Sequence, residues 1–188
     1  VRGHHSRLHG PCHSYEKMFS IPFYTGRIEL GGHTLVQPRI GSGSGEQQDI
    51  VLGEWAKPAL EKHANIFADQ IGLHDVKLNN AWYNENKFGD HNETHVHPGV
   101  TLSGVVYLST GENTGRLVLH HPCTYINYDW NPRTIKRQDV MNTEKIALTP
   151  DNNTLYIFPS WLQHSVEPNK NKNIVRKSIS FNFVSLYI

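Results

Sequence analysis

Four side chains able to hold a metal fall within seven residues of this chain. His91, Glu93, His95 and His97 lie in Gly89-Asp-His-Asn-Glu-Thr-His-Val-His-Pro98 and share parity, so an extended chain projects all four to one side. Imidazole together with carboxylate suits a first-row divalent ion such as iron, zinc or nickel. The plain alternative is a polar rim at the mouth of a strand. Far downstream a further histidine, His164, follows an apolar run in Phe158-Pro-Ser-Trp-Leu-Gln-His164-Ser-Val-Glu-Pro168. Close to the end of the chain, Arg176, Ser178, Ser180 and Asn182 alternate with Val175, Ile179, Phe181 and Phe183, Lys177 being the exception. Period two this clean puts one face of a strand on a core, and leaves the polar face for solvent or for a polar cavity.

The elements that must carry these residues are mostly strands. They are predicted at 77–84, 100–108, 115–120, 144–148, 154–158 and 174–186, separated by Gly, Pro and Asn turns. Strands in a run without helices between them predict an antiparallel sandwich or barrel. Upstream, Val51, Trp55, Leu60, Ala64, Phe67 and Ile71 recur at helical spacing and Gly72 stands where a helix stops. This predicts one amphipathic helix, a buttress over about 47–72, with Pro58 marking a kink or its start. Residues 18–40 read as an edge strand or two, and Gly41-Ser-Gly-Ser-Gly45 reads as a flexible linker by composition.

Composition narrows the field. The 188 residues carry 18 Lys and Arg against 17 Asp and Glu, which leaves no basic field for nucleic acid. No stretch approaches the roughly 20 apolar residues of a membrane span. Cys12 and Cys123 cannot build a disulfide framework or a thiolate zinc site; a single bridge is open to them, and free thiols in a reducing, cytoplasmic compartment are the expectation. Residues 1–14, with His4, His5, His9 and His13, are set apart from a single domain over 15–188, whose barrel spans about 77–186.

Three ordered blocks carry a resemblance. Asn92-Glu-Thr-His95-Val-His97-Pro98, then Leu102-Ser-Gly-Val-Val-Tyr107-Leu108, then Phe158-Pro-Ser-Trp-Leu-Gln-His164-Ser-Val-Glu-Pro168 with Arg176-x-Ser178 resemble the iron(II)- and 2-oxoglutarate-dependent dioxygenases. More narrowly they are similar to a prolyl-hydroxylase-like branch of oxygenases, over about residues 78–185. The resemblance implies a double-stranded β-helix, the jelly-roll barrel shared with cupins. It implies Fe(II), 2-oxoglutarate and O₂, with ascorbate as an optional reductant. It places the metal on His95, His97 and His164, which would also be the catalytic set. Arg176 would fork onto the distal carboxylate of 2-oxoglutarate, and Ser178 would add a hydroxyl. Tyr107 either reaches the same carboxylate or is a core aromatic, and Asn84, with Trp82, Tyr83 and Asn86, would line the pocket.

One departure stands out. Most of the superfamily has Asp or Glu where this chain has His97. Either Glu93 supplies a carboxylate, with His95 or as His91-x-Glu93, or the His-x-His pattern is native to this branch. His95 and His97 are preferred, because the Pro-Gly turn and the aliphatic strand follow them directly. Metal loading would then fail as pH drops through the ordinary imidazole range, about 6.5. A second reading is a non-oxygenase cupin-like barrel that binds zinc or nickel as a ligand module or isomerase; it has no need of Arg-x-Ser. His120 and His121 are adjacent and face opposite ways, so they cannot ligate one metal together. Residues 121–143 form a long polar loop, by default solvated, although loops of that length can serve as lids. The expected partner is a small-molecule or peptidyl substrate, with a homodimer left open and neither nucleic acid nor membrane.

Overall fold

The structure, a computed structural model, describes residues 20–123 and 125–187, with Asn127 by its backbone alone. Segment 1–14 lies outside the described residues, and so does any pairing of Cys12 with Cys123. Eleven strands and two helices follow one another as β1 (Tyr24–Arg27), β2 (His33–Pro38), β3 (Glu46–Leu52), α1 (Ala56–Gln70), β4 (Val76–Asn86), β5 (Asn92–His95), β6 (Leu102–Ser109), β7 (Leu117–His120), α2 (Ile126–Asp129), β8 (Lys145–Leu148), β9 (Thr154–Pro159), β10 (His164–Val166) and β11 (Arg176–Ser185). The strands form a seven-stranded sheet, β1-β9-β6-β11-β4-β3-β2, and a four-stranded sheet, β5-β10-β7-β8. Every pairing is antiparallel. This is the jelly-roll barrel expected from the strand pattern, with one long helix outside it.

Period two sorts the apolar side chains of the large sheet into two cores. Leu102 and Val106 of β6, Leu155 and Ile157 of β9, and Ile179, Phe181 and Phe183 of β11 pack on Leu60, Ala64, Phe67 and Ala68 of α1. Their alternates, Val105, Tyr107, Tyr156 and Phe158, face the small sheet and meet Leu117, Leu119 and Leu162. The inner faces of β4 and β11 are polar and turn Trp82, Asn84, Asn86, Arg176, Ser178 and Ser180 into a cavity of about 290 Å³ between the sheets.

The predicted buttress over about 47–72 is shorter than expected. Glu46–Leu52 is a strand, because its backbone pairs with β2 on one side and with β4 on the other. Two sheet ladders outweigh the helical spacing of Val51, which is exposed on β3. The helix begins after Trp55, and Pro58 stands in its first turn, where a missing N–H costs no helical hydrogen bond. At the other end the Leu73 N–H reaches the Ala68 carbonyl at 2.8 Å and Gly72 stops the helix, as its position predicted.

Gly41–Gly45 is not a free linker. It lies as a strap across β5: Gly43 bridges Asn92, the Ser44 N–H donates to the His91 carbonyl at 3.0 Å, and the Glu93 N–H donates to the Ser42 carbonyl at 2.8 Å. The approach needs glycine, since a Cβ on Gly43 would overlap the His91 carbonyl and stand 2.6 Å from Asn92 Cα. Gly43→Val is therefore expected to lift the strap. In hydrogen exchange the Ser44 and Glu93 amides would lose protection while those of α1 keep theirs; unchanged protection at both amides would contradict this account.

Candidate metal and co-substrate site

His95 closes β5 and His164 opens β10, and the two stand opposite each other in register. His97 follows β5 on the turn, where its N–H donates to the Ser160 carbonyl at 3.0 Å. The strand pair and this one tether bring three imidazoles together, with one nitrogen of each within 4.8 Å of the others. Their ring centroids lie 4.3 Å apart for His95 and His164, 4.9 Å for His95 and His97, and 5.1 Å for His97 and His164. His164 is buried and the other two are half-buried.

Backbone carbonyls fix two of the rings. Nδ1 of His95 donates to the Glu93 carbonyl at 2.7 Å, and Nδ1 of His164 donates to the Leu162 carbonyl at 2.8 Å. Each bond sets the tautomer that leaves Nε2 as a bare lone pair turned to the cluster. Nε2 of His97 and Nε2 of His164 then face each other at 3.2 Å, with no acid between them. Burial pushes His164 down to about 3 and His97 down to about 4, and the neighbouring imidazoles and Arg39 add to the effect. His95 is lowered for the same leading reason. All three imidazoles are thus neutral at ordinary pH, the form that binds a metal.

His91 and Glu93 are not brought to the cluster, so the one-sided row of four is corrected. The strand ends at His95, with a register irregularity against β10. Glu93 is exposed, and His91 hydrogen-bonds the strap through Ser44. His120 sits on the outer side of the small sheet against Ser165 Oγ at 3.0 Å. The 121–143 segment lines a separate apolar cavity of about 730 Å³ with Phe23, Leu119, Ile146 and Leu148, and shares no lining residue with the first.

Arg176 stands in the same cavity as the histidines, only 1 % exposed. Its Nη1 donates to the carbonyls of Thr114 and Glu167, the latter at 3.0 Å, while Nη2 is buried without a partner. Burial lowers its pKa, opposed by the nearby Tyr107 and Asp90. A buried guanidinium N–H without an acceptor is costly unless an anion completes it. Ser178, Asn84 and Tyr107 line the cavity beside it. Burial pushes the Tyr107 hydroxyl up to about 12, so it remains a hydrogen-bond donor. Asn84 Nδ2 donates to Ser178 Oγ at 3.3 Å and Ser180 Oγ at 3.1 Å.

Sequence reasoning missed three lining residues. Arg39 stacks over Trp82 at 4.2 Å and pairs with Asp49 at 3.2 Å; Ser42 Oγ lies 3.3 Å from Nε2 of His95; Gln47 is 7 % exposed. All come from the β2–β3 hairpin, whose glycine-rich composition masked it. Only its docking against β4 and β5 gives these residues a place.

Two antiparallel sheets closing on a cluster of inward imidazoles define a double-stranded β-helix with a metal-binding centre. A family profile described as "Putative 2OG-Fe(II) oxygenase" matches residues 80–182, and the chain belongs to that family. It is accordingly a 2-oxoglutarate- and Fe(II)-dependent dioxygenase, which excludes the non-oxygenase cupin reading. No curated protein matches the chain in sequence. Among solved structures, a prolyl-4-hydroxylase from Pseudomonas putida superposes with a TM-score of 0.52 at 17 % identity, covering 80 % of this chain and 77 % of its own. The collagen prolyl hydroxylase of Paramecium Bursaria Chlorella virus-1, in a 2OG complex, gives 0.52 at 13 %, covering 78 % and 81 %. A prolyl hydroxylase from Trichoplax adhaerens, complexed with a hypoxia inducible factor peptide fragment, gives 0.51 at 14 %, covering 88 % and 84 %. At these identities they share the fold. No helix among the described residues is long and apolar enough to cross a membrane.

Proposed function

We propose that His95, His97 and His164 hold the iron and that Arg176, with Ser178, Tyr107 and Asn84, holds 2-oxoglutarate. The observation that carries this reading is a single cavity with three neutral imidazoles at one part of its wall and a buried, unpartnered guanidinium N–H at another. Bound together, Fe(II), 2-oxoglutarate and O₂ supply oxidative decarboxylation to succinate and CO₂ coupled to hydroxylation of the prime substrate.

The protein's own part is to orient and to exclude water. The Glu93 and Leu162 carbonyls keep two imidazoles in the ligating tautomer. Arg176 meets the distal carboxylate with a charge-assisted bond in a site too dry to screen it, and Tyr107 and Ser178 offer hydroxyl donors beside it. Three neutral imidazoles leave the bound metal one positive charge richer than two imidazoles and a carboxylate would.

The prime substrate is a small molecule or a peptide side chain. Ile40 and Val96 at the cavity rim are exposed, and the neighbouring Trp161 leaves half its surface to solvent, so a substrate would approach across this edge. The direct test is anaerobic. Fe(II)-loaded protein titrated with 2-oxoglutarate is expected to develop the visible charge-transfer absorption of a chelated 2-oxo acid, with one equivalent bound by calorimetry. Iron-loaded protein that binds no 2-oxoglutarate would sink the assignment.

A further inference from the structure

Register across the large sheet sets four polar residues in one row. Gln47 of β3 pairs with Asn84 of β4, Asn84 pairs with Ser178 of β11, and Ser178 pairs with Tyr107 of β6. All four are buried and all line the central cavity. Gln47 differs from the other three, because it lies outside the segment that the family profile matches.

Two buried side-chain polar atoms among the described residues have no hydrogen-bond partner, Arg176 Nη2 and Gln47 Oε1. They belong to the same cavity. Gln47 is fixed from behind: its carbonyl accepts from the Arg39 N–H at 2.9 Å, and the strap lies so close to its amide that a Cβ on Gly41 would overlap Oε1. Oε1 is sealed on that side, which leaves the NH₂ end of the amide to face the cavity. The next residue of the strap, Ser42, touches His95. Gln47 is therefore linked through the strap to the metal side of the cavity. It stands two strands from Ser178, about 10 Å along the row at the usual strand spacing.

We propose that Gln47 is a co-substrate-binding residue, its amide N–H donating to the 2-oxo acid end of 2-oxoglutarate while Arg176 takes the distal carboxylate. The inference rests on the iron and 2-oxoglutarate assignment above. The chemistry is complementary, since a 2-oxo dicarboxylate offers acceptors only and each of these two residues has a donor to give.

The test measures binding to anaerobic Fe(II)-loaded protein by calorimetry. The ligands are 2-oxoglutarate and 2-oxopentanoate, which has the same five-carbon chain without the distal carboxylate. Gln47→Met, which keeps the length and removes the donor, is expected to weaken both ligands by the same factor, about tenfold or more, with iron stoichiometry unchanged. Gln47→Asn, whose amide falls one methylene short, is expected to do the same and serves if the Met variant does not fold. Unchanged affinities, or a loss confined to 2-oxoglutarate, would overturn the role given to Gln47. Failure of the unsubstituted, iron-loaded protein to bind 2-oxoglutarate would instead overturn the site assignment on which it rests.

Discussion

Alanine at His95, His97 or His164 is expected to remove stoichiometric iron, while Glu93→Ala keeps it. The three imidazoles converge to within 4.8 Å and Glu93 is turned to solvent, so only its backbone carbonyl serves the site, through the bond to His95 Nδ1. An alanine at Glu93 retains that carbonyl. Loss of an outer partner of a ligand typically costs roughly ten- to a hundredfold in metal affinity, and loss of a ligand itself costs more. Metal analysis of each purified variant decides the matter. Iron retained by His97→Ala and lost by Glu93→Ala would restore a triad containing the carboxylate.

The same histidines set a pH profile. Their folded pKa values lie below the ordinary 6.5, at about 4 for His97 and about 3 for His164, because burial disfavours the imidazolium. Between these values and 6.5 the unfolded chain binds protons that the folded chain refuses, so stability rises with pH there. For the metal-free protein the contribution is complete above about 6.5 and drains away as pH falls towards 3. Protons also begin to compete with the metal near pH 4 and not near 6.5, which corrects the expectation drawn from ordinary imidazoles. Iron loading that halves near pH 6.5 would show that the imidazoles are not desolvated as described.

Arg176→Lys is expected to weaken 2-oxoglutarate by more than tenfold, and Arg176→Ala by more than about a hundredfold, both with full iron content. Lysine keeps a positive charge but loses the planar fork, whose Nη1 is occupied by the Thr114 and Glu167 carbonyls while Nη2 is free for the ligand. Alanine also strands those two carbonyls, so part of its effect is expected in the unfolding free energy as well as in binding. Calorimetry against 2-oxoglutarate and a urea titration of each variant separate the two effects. An alanine variant that binds 2-oxoglutarate as tightly as the unsubstituted protein would exclude Arg176 as the clamp.

Much of this could be read before the fold was known, and for identifiable reasons. The alternation of β11 places Arg176 and Ser178 opposite Ile179, Phe181 and Phe183, and the helix-side core holds the latter three. The long strands β4, β6 and β9 fell within a few residues of prediction because β-branched and aromatic runs bounded by turns leave little choice. The hairpin of β2 and β3 escaped because its residues are polar and its strands lie at the sheet edge, where pairing and not burial holds them. Shared parity failed for His91 and Glu93 because β5 is only four residues long and irregular against β10, so extended geometry does not persist across the cluster. Arg39, Ser42 and Gln47 had no local signal at all; contacts distant in sequence define them.

The two-faced large sheet bears on how such a protein can change over generations. On β6 and β11, odd and even positions answer to different demands: Val106, Ile179 and Phe181 hold the helix, while Tyr107, Ser178 and Arg176 face the ligand cavity. Substitutions that drift along the cavity side leave the helix packing untouched, so preference for a different oxo acid or oxidised group can be explored one residue at a time without passing through an unfolded ancestor. Insertions have no such freedom. One residue added within β11 would exchange the two sets, turning Phe181 into the cavity and Arg176 against the helix, and would end heredity of both properties in a single step.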